Sequence, residues 1–175
     1  MGLVYVTEDR KHEGLIQSQT LGFNMTLSAL QRFASATGQI TERTQHQACQ
    51  AFIERFAIKA NSQQAIVSSL SGGNQQKVSI AKALMVNPKI VILDEPTRGV
   101  DVGAKREIYL LINELKSQGI CVILMSSDMP ELLGISDRIY VMAGGTTVAH
   151  FDRANATQEK ILAASAGALS FGATA

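Results

Sequence analysis

Two adjacent carboxylates, Asp94 and Glu95, follow the uninterrupted apolar run Ile90-Val91-Ile92-Leu93. Such a run suits a strand buried on both faces of a parallel sheet. In open α/β sheets ligands bind at the carboxyl ends of strands. An aspartate there can hold Mg²⁺ directly or through water, and a glutamate one residue later, on the opposite side of the strand axis, can position or polarise a water. A carboxylate pair that merely caps the following turn is the plainer alternative. Upstream, Leu70-Ser71-Gly72-Gly73-Asn74-Gln75-Gln76 opens a helical pattern. Amide N–H groups at a helix start form an anion site, the macrodipole adds to it, Ser71 contributes a hydroxyl, and two glycines let the backbone approach a bound group. Here the plainer alternative is a serine N-cap with flexible glycines.

The elements that must position these residues alternate. Leu3 to Val6 is a short β-type run. A largely helical stretch follows, in which Thr41 can cap a helix carrying Ala48, Phe52, Arg55 and Phe56 at helical spacing, with Arg55 snorkelling at its edge. Ser68 to Gly73 reads as a loop. A helix from about Gln75 to Met85, with Val78, Ala81, Leu84 and Met85 on one side, ends at Asn87-Pro88. After Ile90–Leu93 comes a helix with Ile108, Leu111, Ile112 and Leu115 in register, closed by Gly119, and then a buried strand from Ile120 to Met125. Ile139–Met142 and Thr147–Phe151 flank Gly144-Gly145 as a hairpin, and a tail helix starts after Thr157 and stops near Gly167. The succession predicts an α/β fold with a parallel sheet. We expect a helical subdomain over about 20–69, a catalytic-core lobe over about 70–151 and a C-terminal tail over 152–175.

Composition excludes several classes. Sixteen basic and fifteen acidic residues leave a net charge of +1, which provides no electrostatic footprint for nucleic acid. The local run Arg10-Lys11-His12, flanked by Glu8, Asp9 and Glu13, reads as a solvated surface loop. Cys49 and Cys121 stand far apart, as in a reducing cytosol, and Cys121 reads as a buried small hydrophobe. His12, His46 and His150 are scattered and read as surface or packing residues. No apolar stretch approaches the roughly 20 residues needed to span a bilayer, so we expect membrane association through a partner.

In combination the motifs carry more than any one alone. A serine-glycine-glycine helix start, then an apolar strand ending in Asp94-Glu95, then Pro96-Thr97-Arg98-Gly99-Val100-Asp101 resembles the ABC ATPase family. The resemblance makes Leu70–Gln76 its signature motif, Ile90–Glu95 its Walker B and Thr97–Asp101 its D-loop. The wording of Asn74–Lys77, Thr97–Lys105 and Glu8–Lys11 is similar to the second nucleotide-binding domain of the fused ATPases of ribose, xylose and galactose-type importers. It implies a partial P-loop NTPase core with a helical subdomain, and ATP and Mg²⁺ as cofactors. Among site residues it implies Glu95 as catalytic, Asp94 as the metal ligand, and Ser71, Gly72, Gly73, Gln75 and Asp101 at nucleotide. Asp101 also suits the N-cap of the next helix, and both readings can hold. Implied partners are a second ABC ATPase domain, a membrane permease and, indirectly, a periplasmic sugar-binding protein, at the cytoplasmic face of a bacterial inner membrane.

The sequence departs from the family pattern in three places. It contains no GxxxxGK[ST], the loop that cradles β and γ phosphates, so we expect a domain truncated before that loop and inactive alone. The position of the Q-loop glutamine is Glu8, and that of the switch histidine is Ser127. A serine cannot replace imidazole as a charged phosphate contact, so slow turnover is expected at this half-site even in an intact protein.

Overall fold

A computed structural model describes residues 2–35 and 38–167; the last eight residues of the expected tail lie outside them. Residues up to Met125 form one compact unit and those from Ser126 a second.

The first unit holds β1 (Leu3–Val6), a single π-helical turn at Arg10–Gly14, α1 (Leu21–Leu27), α2 (Leu30–Phe33), α3 (Glu42–Arg55), a 3₁₀ turn at Val67–Ser69, α4 (Gly72–Leu84), β2 (Ile90–Asp94), α5 (Val102–Ser117) and β3 (Cys121–Met125). The three strands form a parallel sheet in the order β1-β2-β3, with Leu3, Ile90 and Cys121 in one row and Tyr5, Ile92 and Ile123 in another. The apolar run of β2 therefore occupies the centre. α4 packs against β1, α1, α5 and the π turn. It is buried almost all round, including Gln76, Lys77 and Ser79, rather than along the single stripe its periodicity predicts. It also begins at Gly72, earlier than the expected Gln75, because Ser71 caps it. Buried charge on α4 is paired: Lys77 donates to the Ala57 carbonyl at 3.0 Å and pairs with Glu107.

The sheet corrects two expectations. β2 and β3 are not buried on both faces: Val91 and Leu93 are fully covered, whereas Leu3, Tyr5, Ile123 and Met125, on the opposite face, are exposed. β3 alternates because one face of the sheet is open, while α5 packs on the strand from the other. Cys121 is accordingly exposed, while Cys49, on α3, is the buried cysteine, and burial pushes its thiol up to about 11. Arg55 does more than snorkel. It lies over the Phe52 and Phe56 rings and bonds Glu114 at 2.7 Å and Gln118 at 2.8 Å, pinning α3 to α5.

The second unit comprises α6 (Met129–Ile135), β4 (Arg138–Ala143), β5 (Thr146–Asp152) and α7 (Gln158–Ser165). β4 and β5 pair antiparallel around Gly144-Gly145, both at positive φ, as the hairpin reading requires. Ile139, Val141, Ile161 and Ala164 form its core. Among the described residues no helix is long and apolar enough to cross a membrane.

Candidate functional site

The start of α4 is built around one hydroxyl. Ser71 Oγ accepts hydrogen bonds from the Asn74 backbone N–H at 3.4 Å and from Asn74 Nδ2 at 2.9 Å. Asn74 Oδ1 in turn accepts from the Lys59 backbone N–H at 2.9 Å. Both acceptor positions of the hydroxyl are thus filled, which leaves its proton to donate. Ser71, Gly73 and Asn74 line a cleft together with Lys59, Lys77, Asp101, Gly103, Ala104 and Glu107. The N-termini of α4 and α5 therefore open into the same cleft. Asp101 caps α5 by accepting from the Ala104 N–H at 3.0 Å, and that bond holds its carboxyl below the usual range.

The two glycines have a packing reason. A Cβ on Gly73 would stand 2.5 Å from the Ala104 Cβ, so the glycine permits the close crossing of α4 and α5. A Cβ on Gly72 would stand 2.9 Å from an Arg10 guanidinium nitrogen and 3.1 Å from the Gly99 carbonyl oxygen. Gln75 faces inward. It is buried, and its amide donates to the Val67 and Leu70 carbonyls at 3.2 and 3.1 Å. It shapes the loop before Ser71 rather than lining the cleft.

Asp94 and Glu95 lie at the carboxyl end of β2. Asp94 shares the exposed sheet face with Tyr5, whose hydroxyl donates to Asp94 Oδ2 at 2.5 Å; that bond raises the phenol pKa. The ladder ends at Asp94, and Glu95 adopts φ 44° while its N–H donates to the Met125 carbonyl at 2.8 Å. A left-handed non-glycine residue is uncommon and marks strain held by its surroundings. The direction of Glu95 is therefore set by this turn rather than by the strand pleat. The described residues hold no group of three or more His, Cys, Asp or Glu arranged to bind a metal. One carboxylate nevertheless suits Mg²⁺, which keeps waters and takes phosphate oxygens beside one or two protein carboxylates.

Glu8 pairs with Arg98 in the turn after Glu95. Arg10, two residues on, is not a solvated residue. It is part-buried and donates to the Arg98 carbonyl at 3.1 Å and, more weakly, to Gln76 Oε1 at 3.5 Å. In the second unit Ser127 sits at the loop before α6, where Ser126 Oγ donates to the buried Glu131 carboxylate.

Residues 4–98 match the family model described as ABC transporter. The chain belongs to the ABC transporter family. Among solved structures it is similar to the ATP-binding cassette MJ0796, solved as a dimer in a post-hydrolysis state bound to ADP and Pi, with 22% identity and a TM-score of 0.74 over 87% of this chain and 63% of that one. It is also similar to MJ1267, an ATP-binding cassette of an ABC transporter, with 22% identity and a TM-score of 0.73 over 93% of this chain and 68% of that one. At these identities the likeness establishes the ABC cassette fold. The chain spans about 63% of the length of the MJ0796 cassette.

Within this ABC transporter chain, the structure brings Ser71, Gly73 and Asp101 to one cleft and places Asp94 and Glu95 at the end of β2. Reading the sequence alone misses Tyr5, Arg10, Lys59 and the bridging role of Asn74. The signal for Tyr5 and Arg10 was their place at and beyond the carboxyl end of a parallel strand, where sites assemble. Lys59 could not be found this way, because it acts through its backbone N–H.

Proposed function

We propose that this chain is part of the ATPase of a carbohydrate ABC importer, and that its main contribution to ATP hydrolysis is made in trans from the start of α4. The observation that carries the reading is the Ser71 hydroxyl, held by Asn74 as a donor at a helix N-terminus beside Lys59 and Lys77. Phosphoryl transfer is accelerated chiefly by groups placed to meet spreading negative charge. A triphosphate presented by a second ABC ATPase domain would meet the Ser71 hydroxyl and the amides of Gly72 and Gly73. Gln75 would act by shaping the loop, and Asp101 by fixing α5 against Gly73.

The chain's own Asp94, on the open sheet face, would hold Mg²⁺, and Glu95 would position water. MgATP, when bound, supplies the phosphoryl group. Glu8, which would add negative charge near Mg²⁺ and phosphate, and Ser127, in place of an imidazole, would keep that half-site slow. The wording of Asn74–Lys77, Thr97–Lys105 and Glu8–Lys11 supports the sugar-import reading, with a permease and a periplasmic sugar-binding protein as partners at the cytoplasmic face of the inner membrane.

ATP hydrolysis by the assembled ATPase tests this. Ser71→Ala is expected to lower turnover by on the order of 10²-fold, as for loss of one charge-stabilising donor; wild-type turnover excludes the reading. A second reading, an interaction module that does not hydrolyse ATP, is favoured by the absence of GxxxxGK[ST] from the 175 residues. Calorimetric titration of the chain with MgATP separates the two, since tight binding excludes the module.

A further inference from the structure

The π turn at Arg10–Gly14 lies along one face of α4. A Cβ on Gly14 would stand 3.3 Å from Ser79 Oγ, Lys82 Nζ donates to the Gly14 carbonyl at 2.7 Å, and Arg10 reaches Gln76. Residues 76, 79 and 82 recur every three positions and so share a helix face. The base of the turn is fixed by Asp9, whose carboxylate accepts the Lys11 and His12 N–H groups at 3.2 and 3.1 Å. From this anchored base the Arg10 guanidinium extends past the start of α4 to the Arg98 carbonyl. Gly72 and Gly99 flank it: Cβ atoms there would stand 2.9 and 3.9 Å from the same guanidinium nitrogen.

We propose that Arg10 is a positioning residue, a latch that ties the loop after β1 to both the Ser71 helix start and the turn following Asp94-Glu95. Two features set it apart from the neighbouring ion pair. The neighbouring Glu8–Arg98 pair is largely exposed, with side-chain exposures of 38% and 69%, and exposed pairs are screened and weak. The Arg10 bond to the Arg98 carbonyl is itself exposed but charge-assisted, and the guanidinium is held on two sides: one terminal nitrogen also reaches Gln76 in a part-buried contact, and the other lies against Gly72. A shift of the loop at Glu8 is thereby passed to the α4 start and to the 95–100 turn together. The link to turnover rests on the function proposed above; the mechanical link does not.

Amide hydrogen exchange on the 175-residue chain tests the latch without nucleotide. In Arg10→Ala, the hydrogen-bonded amides of Asn74–Gln76 and of Arg98 and Val100 are expected to exchange at least about tenfold faster, with β2 amides and those of the second unit unchanged. Arg10→Lys, which keeps charge and guards against misfolding, is expected to loosen the same two segments, because an ammonium lacks the second guanidinium nitrogen that lies against Gly72 and Gly99. Uniform acceleration across the first unit, no change in either segment, or full rescue by lysine overturns the proposal. In the assembled ATPase, Arg10→Lys should lower kcat about tenfold with KM for ATP within about twofold. Loss confined to KM overturns the coupling. If the wild-type assembly hydrolyses no ATP, the functional reading fails, while the exchange data still decide the latch.

Discussion

Asn74 shows how one side chain can set the chemistry of another. Its amide accepts from the Lys59 N–H and donates to Ser71 Oγ, so Ser71 is left with a proton to give. Asn74→Ala should therefore reduce ATP turnover in the assembled ATPase about tenfold, through misorientation of the hydroxyl, and cost about 1 kcal/mol of stability for the lost bonds. A steady-state assay beside chemical denaturation separates the two effects. The cysteines give a residue-scale test of the burial pattern. Cys121 is exposed, whereas Cys49 is 1% exposed with a thiol pushed up to about 11 by burial. Alkylation at pH 8 should modify Cys121 alone in the folded chain and both cysteines in denaturant. Because the folded Cys49 pKa lies above the ordinary 9.0, its contribution to stability is complete below pH 9 and is lost as pH rises toward 11.

At the scale of elements, the crossing of α4 and α5 decides whether the cleft exists. Gly73→Ala would place a methyl group 2.5 Å from the Ala104 Cβ. Overpacking of that kind costs roughly 1–3 kcal/mol, and Ala104→Gly in the same chain should recover most of it, as read by a double-mutant cycle in urea. The opposite end of the same contact is the α5 cap. Asp101→Ala should lower stability through loss of this N-cap. Since hydrogen bonding to Ala104 N–H depresses the Asp101 pKa, the cap's contribution is present above its ordinary 3.8 and lost as pH falls through the lowered value. Denaturation midpoints at neutral pH and below pH 3 check the difference, which should shrink in acid.

At the scale of the molecule, the first unit presents an open, apolar sheet face. Leu3 and Tyr5 on β1 and Ile123 and Met125 on β3 are all at least 40% exposed and lie on the same face. Exposed apolar surface and unpaired strand edges favour association. The chain in isolation should self-associate at micromolar concentration, as measured by light scattering. Tyr5→Lys together with Ile123→Lys should restore a monomer, and a wild-type chain that stays monomeric contradicts the expectation.

Much of this was legible in the residues themselves. The strand at Ile90–Asp94, the alternation of strands and helices, the hairpin at Gly144-Gly145 and the α5 stripe follow from local periodicity and turn chemistry, which are properties of neighbours along the chain. The motif spacing between Ser71 and Asp101 was sufficient to indicate the family. Tertiary structure alone decided the rest. That Cys121 is exposed depends on its lying on the open face of the sheet, and that Gly72 and Gly73 serve packing depends on Arg10, Gly99 and Ala104 arriving from elsewhere. The inward turn of Gln75 and the reach of Arg10 over 88 residues to Arg98 are long-range contacts. No local pattern encodes such contacts, because their partners are brought together only when the sheet forms.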